Sequence, residues 1–269
     1  MQPIVFLWSA IAVLVLVVSI WAVSVRIKDA SIVDIFWGFG FVVVGWVARL
    51  ASGGEWNTRH KLLLAAATIW GLRLAGYLAW RNLGHGEDFR YRMMRKKHGD
   101  KFWLVSLRTV YLTQGLLMFF VSIPLQLGQM RFSGDRTGKT LSALLVVGFV
   151  VWLVGVLFET VGDIQLARFK ANEANKGKVM DRGLWAWTRH PNYFGDSVAW
   201  WGMFIISLAA RSPWLLIGVV GPIAMTILLR KVSGVPMLEH SMAKRRPGYT
   251  EYVARTSPFI PRPPKRSNL

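Results

Sequence analysis

Seven runs of mostly apolar residues constrain this chain more than any other feature. They lie at about 3–25, 30–50, 62–80, 108–127, 141–161, 191–210 and 213–230. Each approaches the roughly 20 residues that an α-helix needs to cross a bilayer. The expected fold is therefore all-α: a polytopic bundle of seven transmembrane helices, forming one domain over 1–261 with a basic, Pro-rich tail at 262–269. Composition agrees, since only 17% of the residues are charged, where a soluble domain carries roughly a quarter. The first run starts almost at Met1 and, at about 23 residues, is long for a signal-peptide core, so it is predicted to be a retained helix. The chain has no cysteine, which excludes disulfides, thiol nucleophiles, iron–sulfur clusters and Cys-ligated zinc.

The net charge of +19 would by itself suit nucleic acid, acidic lipid or a phosphate-bearing ligand. Its distribution decides among these. The loop with Arg26 and Lys28, the 81–108 loop, the 168–189 loop and the chain from Arg230 onward hold 25 of the 33 Lys and Arg; the opposite loops hold seven. Such an asymmetry puts the basic side in the cytoplasm, with the N-terminus outside and the C-terminus inside. It leaves no need for nucleic acid. The expected partners are the lipid bilayer and a hydrophobic small molecule, with the chain acting as a monomer. The end "PFIPRPPKRSNL" reads as a disordered segment or a surface contact.

Ionisable groups inside a membrane are costly and usually face a cavity or a partner. Asp34 opens the second run, and only 14 uncharged residues follow it from Ile35 to Ala48. Arg73 lies seven residues before the inner end of the third run, about 10 Å deep at 1.5 Å per residue. Tyr77 is one turn further along the same face. Two readings stand here: a structural Asp34–Arg73 pair that locks two helices, or a site. Glu159 and Asp163, four residues apart in "FETVGDIQLARFK", point the same way at the inner face, followed by Arg168 and Lys170. In "GHGEDFRYRMMRKKHG", Glu87 and Asp88 beside Arg90 and Tyr91 mix both signs, which suits a folded lid or an amphipathic surface helix.

The densest cluster is "WTRHPNYFGD" at 187–196. Pro191 suits a first helical turn, whose free N–H groups form an anion site. Arg189 adds charge, His190, Asn192 and Tyr193 add polar contacts, and Asp196 offers an acceptor one turn on. Phosphates on cations and a ribose or carboxamide on Asn and Asp describe a nucleotide site. Lys178 and Arg182 lie in the preceding basic loop, and Glu239, downstream, belongs to the same expected set. Other motifs are weak: "GFGFVVVG" at 38–45 sits inside a span and reads as helix packing, and the five His residues show no metal spacing. Trp37 and Trp70 are candidates for an aromatic pocket, although interfacial belts are the commoner use of Trp in membranes.

"FETVGDIQLARFK", "GLWAWTRHPNYFGD" and "RPGYTEYVARTSPFIP" together resemble the C-terminal half of the steroid 5-alpha-reductase family, most closely its bacterial branch. The likeness covers roughly residues 140–261, and "GEDFRY" extends it toward the N-terminal half. It implies a seven-helix inner-membrane enzyme that uses NADPH to saturate a carbon–carbon double bond conjugated to a ketone, typically on a steroid. By position, Asp163 and Asn192 match cofactor contacts, Lys170 and Lys178 fall near the phosphates, and Asp196 takes a place more often held by Glu. Glu159 replaces an amide of the steroid branch, and Asp34 falls near the acid that helps bind the ketone. The motif R-H-P-x-Y with a downstream Glu is also similar to isoprenylcysteine carboxyl methyltransferases, which bind S-adenosylmethionine. A membrane scaffold or transporter is the non-catalytic alternative.

Enone reduction needs a hydride donor over the β-carbon and a polarised ketone oxygen. An acid in a low-dielectric site can stay protonated and donate to a developing enolate. Asp34 is the expected donor, unless Arg73 holds it ionised, and Tyr77 is the alternative. Asp34, Tyr77 and Arg73 are accordingly the expected catalytic group, with Trp37 and Trp70 toward the substrate. NADPH is expected to lie on Glu87, Asp88, Arg90, Tyr91 and the 159–196 set.

Overall fold

The computed structural model of the protein describes residues 2–132, 142–232 and 246–264. Among them every regular element is helical. Six helical stretches are long and apolar enough to cross a membrane: Pro3–Ile27, Ile32–Ser52, Thr58–Asn82, Phe89–Val121, Ala143–Ala171 and Pro213–Val232. These are the marks of an integral membrane protein. The run expected at 191–210 is instead a 17-residue helix, Pro191–Ser207, that tightens into a 3-10 turn at Leu208–Ala210. At 1.5 Å per residue its α-helical part spans about 26 Å, short of the roughly 30 Å hydrocarbon core. The chain divides into two compact units, Met1–Val146 with Met203–Gly221 and Val147–Gly202 with Pro222–Leu269.

The first unit opens with α1 (Pro3–Ile27), α2 (Ile32–Ser52) and α3 (Thr58–Asn82). Helices α2 and α3 touch backbone to backbone, and glycine is the reason. A Cβ on Gly38 would stand 2.5 Å from the carbonyl oxygen of Gly71, and one on Gly71 the same distance from that of Gly38. Small residues permit such approach in membranes, where dispersion and not hydrophobicity drives helix association. The glycines of "GFGFVVVG" are thus packing residues. Helix α3 starts at a capping box in which the Asn57 side chain accepts from the His60 amide.

The next helical stretch begins at Phe89, well before the expected 108. It runs as α4 (Phe89–His98), a 3-10 turn, α5 (Phe102–Ser106), a π-helical turn at Leu107–Leu112, and α6 (Thr113–Val121). Asp88 starts it, accepting from the Arg90 amide. The segment expected as a lid is therefore mostly the charged end of a long helix. Pro124 cannot donate to the ladder, and the chain breaks at Ser122 into α7 (Ile123–Gln129). The C-terminal carbonyls of α7 meet two buried guanidiniums: Arg59 donates to Gly128 and Met130, and Arg49 donates to Gln129. Cations at that end complement the helix dipole.

The second unit is built on α8 (Ala143–Ala171), α9 (Leu184–Trp187), α10 (Pro191–Ser207) and α12 (Tyr249–Arg255), with α11 (Val220–Ile227) at its boundary. Helices α8 and α10 share a second glycine seam. Added Cβ atoms would meet backbone at 2.3 Å for Gly155 (Ala199 N), 2.4 Å for Gly195 (Glu159 N) and 2.3 Å for Gly202 (Trp152 N). The described chain after α12 is docked, which, of the two readings of the Pro-rich end, disordered or a surface contact, agrees with the second as far as residue 264. Phe259 is buried against Phe194, its carbonyl accepts from Thr188, and the Arg262 amide donates to Trp187. Tyr252 OH donates to the Trp185 carbonyl, and Trp185 Nε1 to that of Gly162.

Candidate functional site

The glycine seam fixes the polar mouth of α10. Because Gly195 rides on the backbone of Glu159, the acids of α8 lie directly against the first turn of α10. Asn192 Nδ2 donates to Asp163 Oδ1 at 3.1 Å. Glu159, Asp163 and Asp196 are all buried, with relative exposures of 3%, 3% and 7%. The His190 and Tyr193 rings stack, 5.5 Å apart and 5° from parallel. This mouth is rich in acceptors, the chemistry that holds hydroxyl and amide groups.

Arg189 bonds to the chain at the end of α12. Its guanidinium donates to the carbonyls of Thr256 at 2.9 Å and Val253 at 3.2 Å, and its amide to Ser257. It is buried at the C-terminal end of α12, where a cation satisfies carbonyls that have lost their helical partners. Arg189 therefore anchors α12.

A cavity of about 230 Å³ lies at the end of α8, lined by Phe169, Lys170, Asn172, Glu173, Asn175, Lys176, Gly177 and Arg246. Lys170 was expected there; Lys176 and Arg246 were not. Arg246 also donates to the Lys178 carbonyl, and Asn175 Nδ2 to that of Phe169, which closes the turn after the helix. Arg182 lies over the Phe169 ring at 5.7 Å. Arg168 and Lys178 are exposed and do not line the cavity. Lys170 and Asp163 are seven residues apart on one helix, or about 10 Å at 1.5 Å per residue. The cavity and the acceptor-rich mouth are thus close neighbours along α8.

In the first unit Asp34 is the centre of a second polar group. Its Oδ2 accepts from Arg90 at 2.7 Å and its Oδ1 from Tyr91 OH at 2.8 Å. The counter-ion of Asp34 is Arg90, where one of the two readings of the sequence places Arg73. Both oxygens act as acceptors in these contacts. Arg90 also holds Asp88 at 2.9 Å, the Asp88 amide is bonded by Ser31 Oγ, and Glu87 joins Arg95 to the Ala30 amide. Glu87, Asp88, Arg90 and Tyr91 therefore strap the chain before α4 to the head of α2.

Burial raises the Glu87 carboxyl, but hydrogen bonds from Arg95 and the Ala30 amide, with the charges of Arg95 and Arg92, hold it below its ordinary range. Burial likewise opposes ionisation of Asp88, and Arg90 outweighs it. Tyr77 stands near Trp80, ring centroids 5.9 Å apart, with Arg81 over its ring. Trp70 is fully buried against Phe41, which also meets Trp37 edge-on at 5.1 Å. Trp70 thus packs within the α2–α3 seam. Glu239 lies outside the described residues. Among the described residues no group of three or more His, Asp and Glu is arranged to hold a metal.

A family described as "Protein of unknown function (DUF1295)" matches residues 20–256, most of the chain. The chain belongs to DUF1295. This DUF1295 protein is 42% identical over 62 residues to a protein of Ustilaginoidea virens named "Probable O-methyltransferase ustE", covering 23% of this chain and 22% of that protein. It spans far less than two thirds of that relative's length. It is also 21% identical over 276 residues to "Uncharacterized protein C594.04c" of Schizosaccharomyces pombe, covering 90% of this chain and 76% of that one. No solved structure matches.

Proposed function

We propose that this DUF1295 protein is a membrane-embedded reductase that takes a hydride from NADPH to the double bond of a hydrophobic enone, such as a 3-oxo-4-ene steroid. One observation carries the reading: a basic cavity of about 230 Å³ lies about two turns along α8 from an acceptor-rich mouth. Cations beside acceptors suit a ligand with phosphates at one end and ribose or carboxamide groups at the other. Lys170, Lys176 and Arg246 would hold phosphate, while Asp163, Asn192 and Asp196 would hold the polar groups. When bound, NADPH supplies the hydride; these residues bind and orient it. In the same reading the basic loops and C-terminus face the cytoplasm, the 191–210 stretch completes a seventh crossing, and the enone enters from lipid.

A second reading, an S-adenosylmethionine-dependent methyltransferase, is favoured by the 42% identical stretch shared with a probable O-methyltransferase. That cofactor has no phosphate and would leave the basic cavity unused. Equilibrium binding to the purified protein separates the two. NADPH should bind more tightly than NADH, and Lys176→Ala or Arg246→Ala should weaken NADPH by roughly 10- to 100-fold, the scale of a lost hydrogen bond to a charged group. Binding of S-adenosylmethionine with no measurable NADPH affinity would replace the reductase by the methyltransferase.

A further inference from the structure

The charged end of the fourth candidate span carries more positive charge than the protein itself neutralises. Most of its acids are already engaged: Asp34 and Asp88 hold Arg90 and Glu87 holds Arg95, while Asp100 stands exposed. Arg92, Lys96, Lys97 and Lys101 are left exposed, with no carboxylate in ion-pair contact among the described residues. Apolar side chains stand among them, Met93 at 61% and Trp103 at 50% relative exposure. The level of this surface can also be read. Trp21 Nε1 donates to the Trp103 carbonyl at 2.9 Å and the two rings pair at 6.1 Å. A Trp pair at the end of two apolar helices marks the depth of the lipid headgroups.

We infer that the surface formed by Arg92, Lys96 and Lys97 of α4 and Lys101 of the 3-10 turn that follows is a binding surface for anionic phospholipid headgroups, with Met93 and Trp103 reaching into the acyl boundary. Charge complementarity and depth choose the occupant. A soluble phosphate would use the cations but have no use for apolar side chains beside them. A zwitterionic lipid would use the side chains but gain little from four cations that share a single exposed acid, Asp100. An anionic lipid uses both, as a basic amphipathic surface does at a membrane. The strap from Glu87 and Asp34 to Arg95 and Arg90 keeps the two internal arginines out of the lipid and holds α4 at this height.

The test is lipid retention. Purified protein is equilibrated in phosphatidylcholine nanodiscs with and without phosphatidylglycerol, re-extracted in mild detergent, and its bound lipid is weighed by mass spectrometry. Phosphatidylglycerol should be enriched over phosphatidylcholine. Each basic residue near an anionic surface contributes about fivefold, so Lys96→Gln/Lys97→Gln/Lys101→Gln together should lower the enrichment by at least 10-fold. Lys61→Gln, an exposed lysine at the opposite end of α3, should leave it unchanged. An equal loss in Lys61→Gln would reduce the effect to net charge and overturn the inference. So would an unchanged triple variant, or displacement of the lipid by inorganic phosphate at matched concentration.

Discussion

The Asp34–Arg90 pair makes a quantitative test of how the strap is held. Arg90→Met removes the guanidinium while keeping much of its stem. It leaves the Asp34 carboxylate with Tyr91 alone, at a side-chain exposure of 22%, against 37% for Arg90. A buried charge stripped of its partner costs about 3–5 kcal/mol, whereas exposed pairs are worth about 0–1 kcal/mol. This pair is partly wetted on both sides, so the expected loss is on the order of 1–2 kcal/mol. Asp34→Asn keeps an acceptor for Tyr91 and removes the charge, and should lose about 1 kcal/mol. If the two side chains act through each other, the double variant should be less destabilised than the sum, by roughly 0.5–1.5 kcal/mol. Denaturant unfolding in mixed micelles, followed by Trp fluorescence, measures all four corners of the cycle. Arg73→Ala combined with Asp34→Asn should be additive within about 0.5 kcal/mol. Additivity of Asp34 with Arg90, and coupling of Asp34 to Arg73, would refute the assignment and restore Arg73 as the partner.

Three further outcomes follow from other parts of the fold. Gly195→Ala should loosen α8 from α10, because the new Cβ would meet the Glu159 amide at 2.4 Å and the Gly155 carbonyl at 2.5 Å; a cost of about 1–3 kcal/mol is the scale for overpacking, and an unchanged melting temperature would dismiss the seam. Arg189→Ala should free the carbonyls of Val253 and Thr256 and speed proteolysis after α12, and a tail as resistant as wild type would count against the anchor. The Glu87 carboxyl is held below its ordinary value of 4.5, so its stabilising effect is complete above about pH 4.5 and is lost as pH falls through the lowered value. Glu87→Gln should therefore flatten the acid limb of a melting-temperature profile, and parallel profiles for the two proteins would show that the Arg95 contact contributes nothing.

The residues that sequence placed well and those it missed differ in the range of the signal. Six spans were legible because roughly 20 apolar residues in a row are a local property, while the apolar run at 191–210 is divided between α10 and a 3-10 turn, a break that apolar length does not reveal. The start of the fourth helix was missed for the opposite reason: seven charged residues between Arg90 and Lys101 mask a helix that Asp88 caps in the ordinary way. Asp163 and Asn192, brought together across 29 positions, were picked out as polar residues near a membrane mouth, yet their contact depends on glycines at 155 and 195 that sequence alone leaves unpaired. Asp34 shows the limit most sharply. Its depth was readable from the run that follows it, but depth admits any cation at the same level. Arg73 met that condition from within a span, while Arg90 reaches it because Glu87 and Asp88 first dock on Ala30 and Ser31. The choice between two plausible arginines was made by two hydrogen bonds to a loop, each about 57 residues away in sequence, and such pairings become visible only when the helices are already packed.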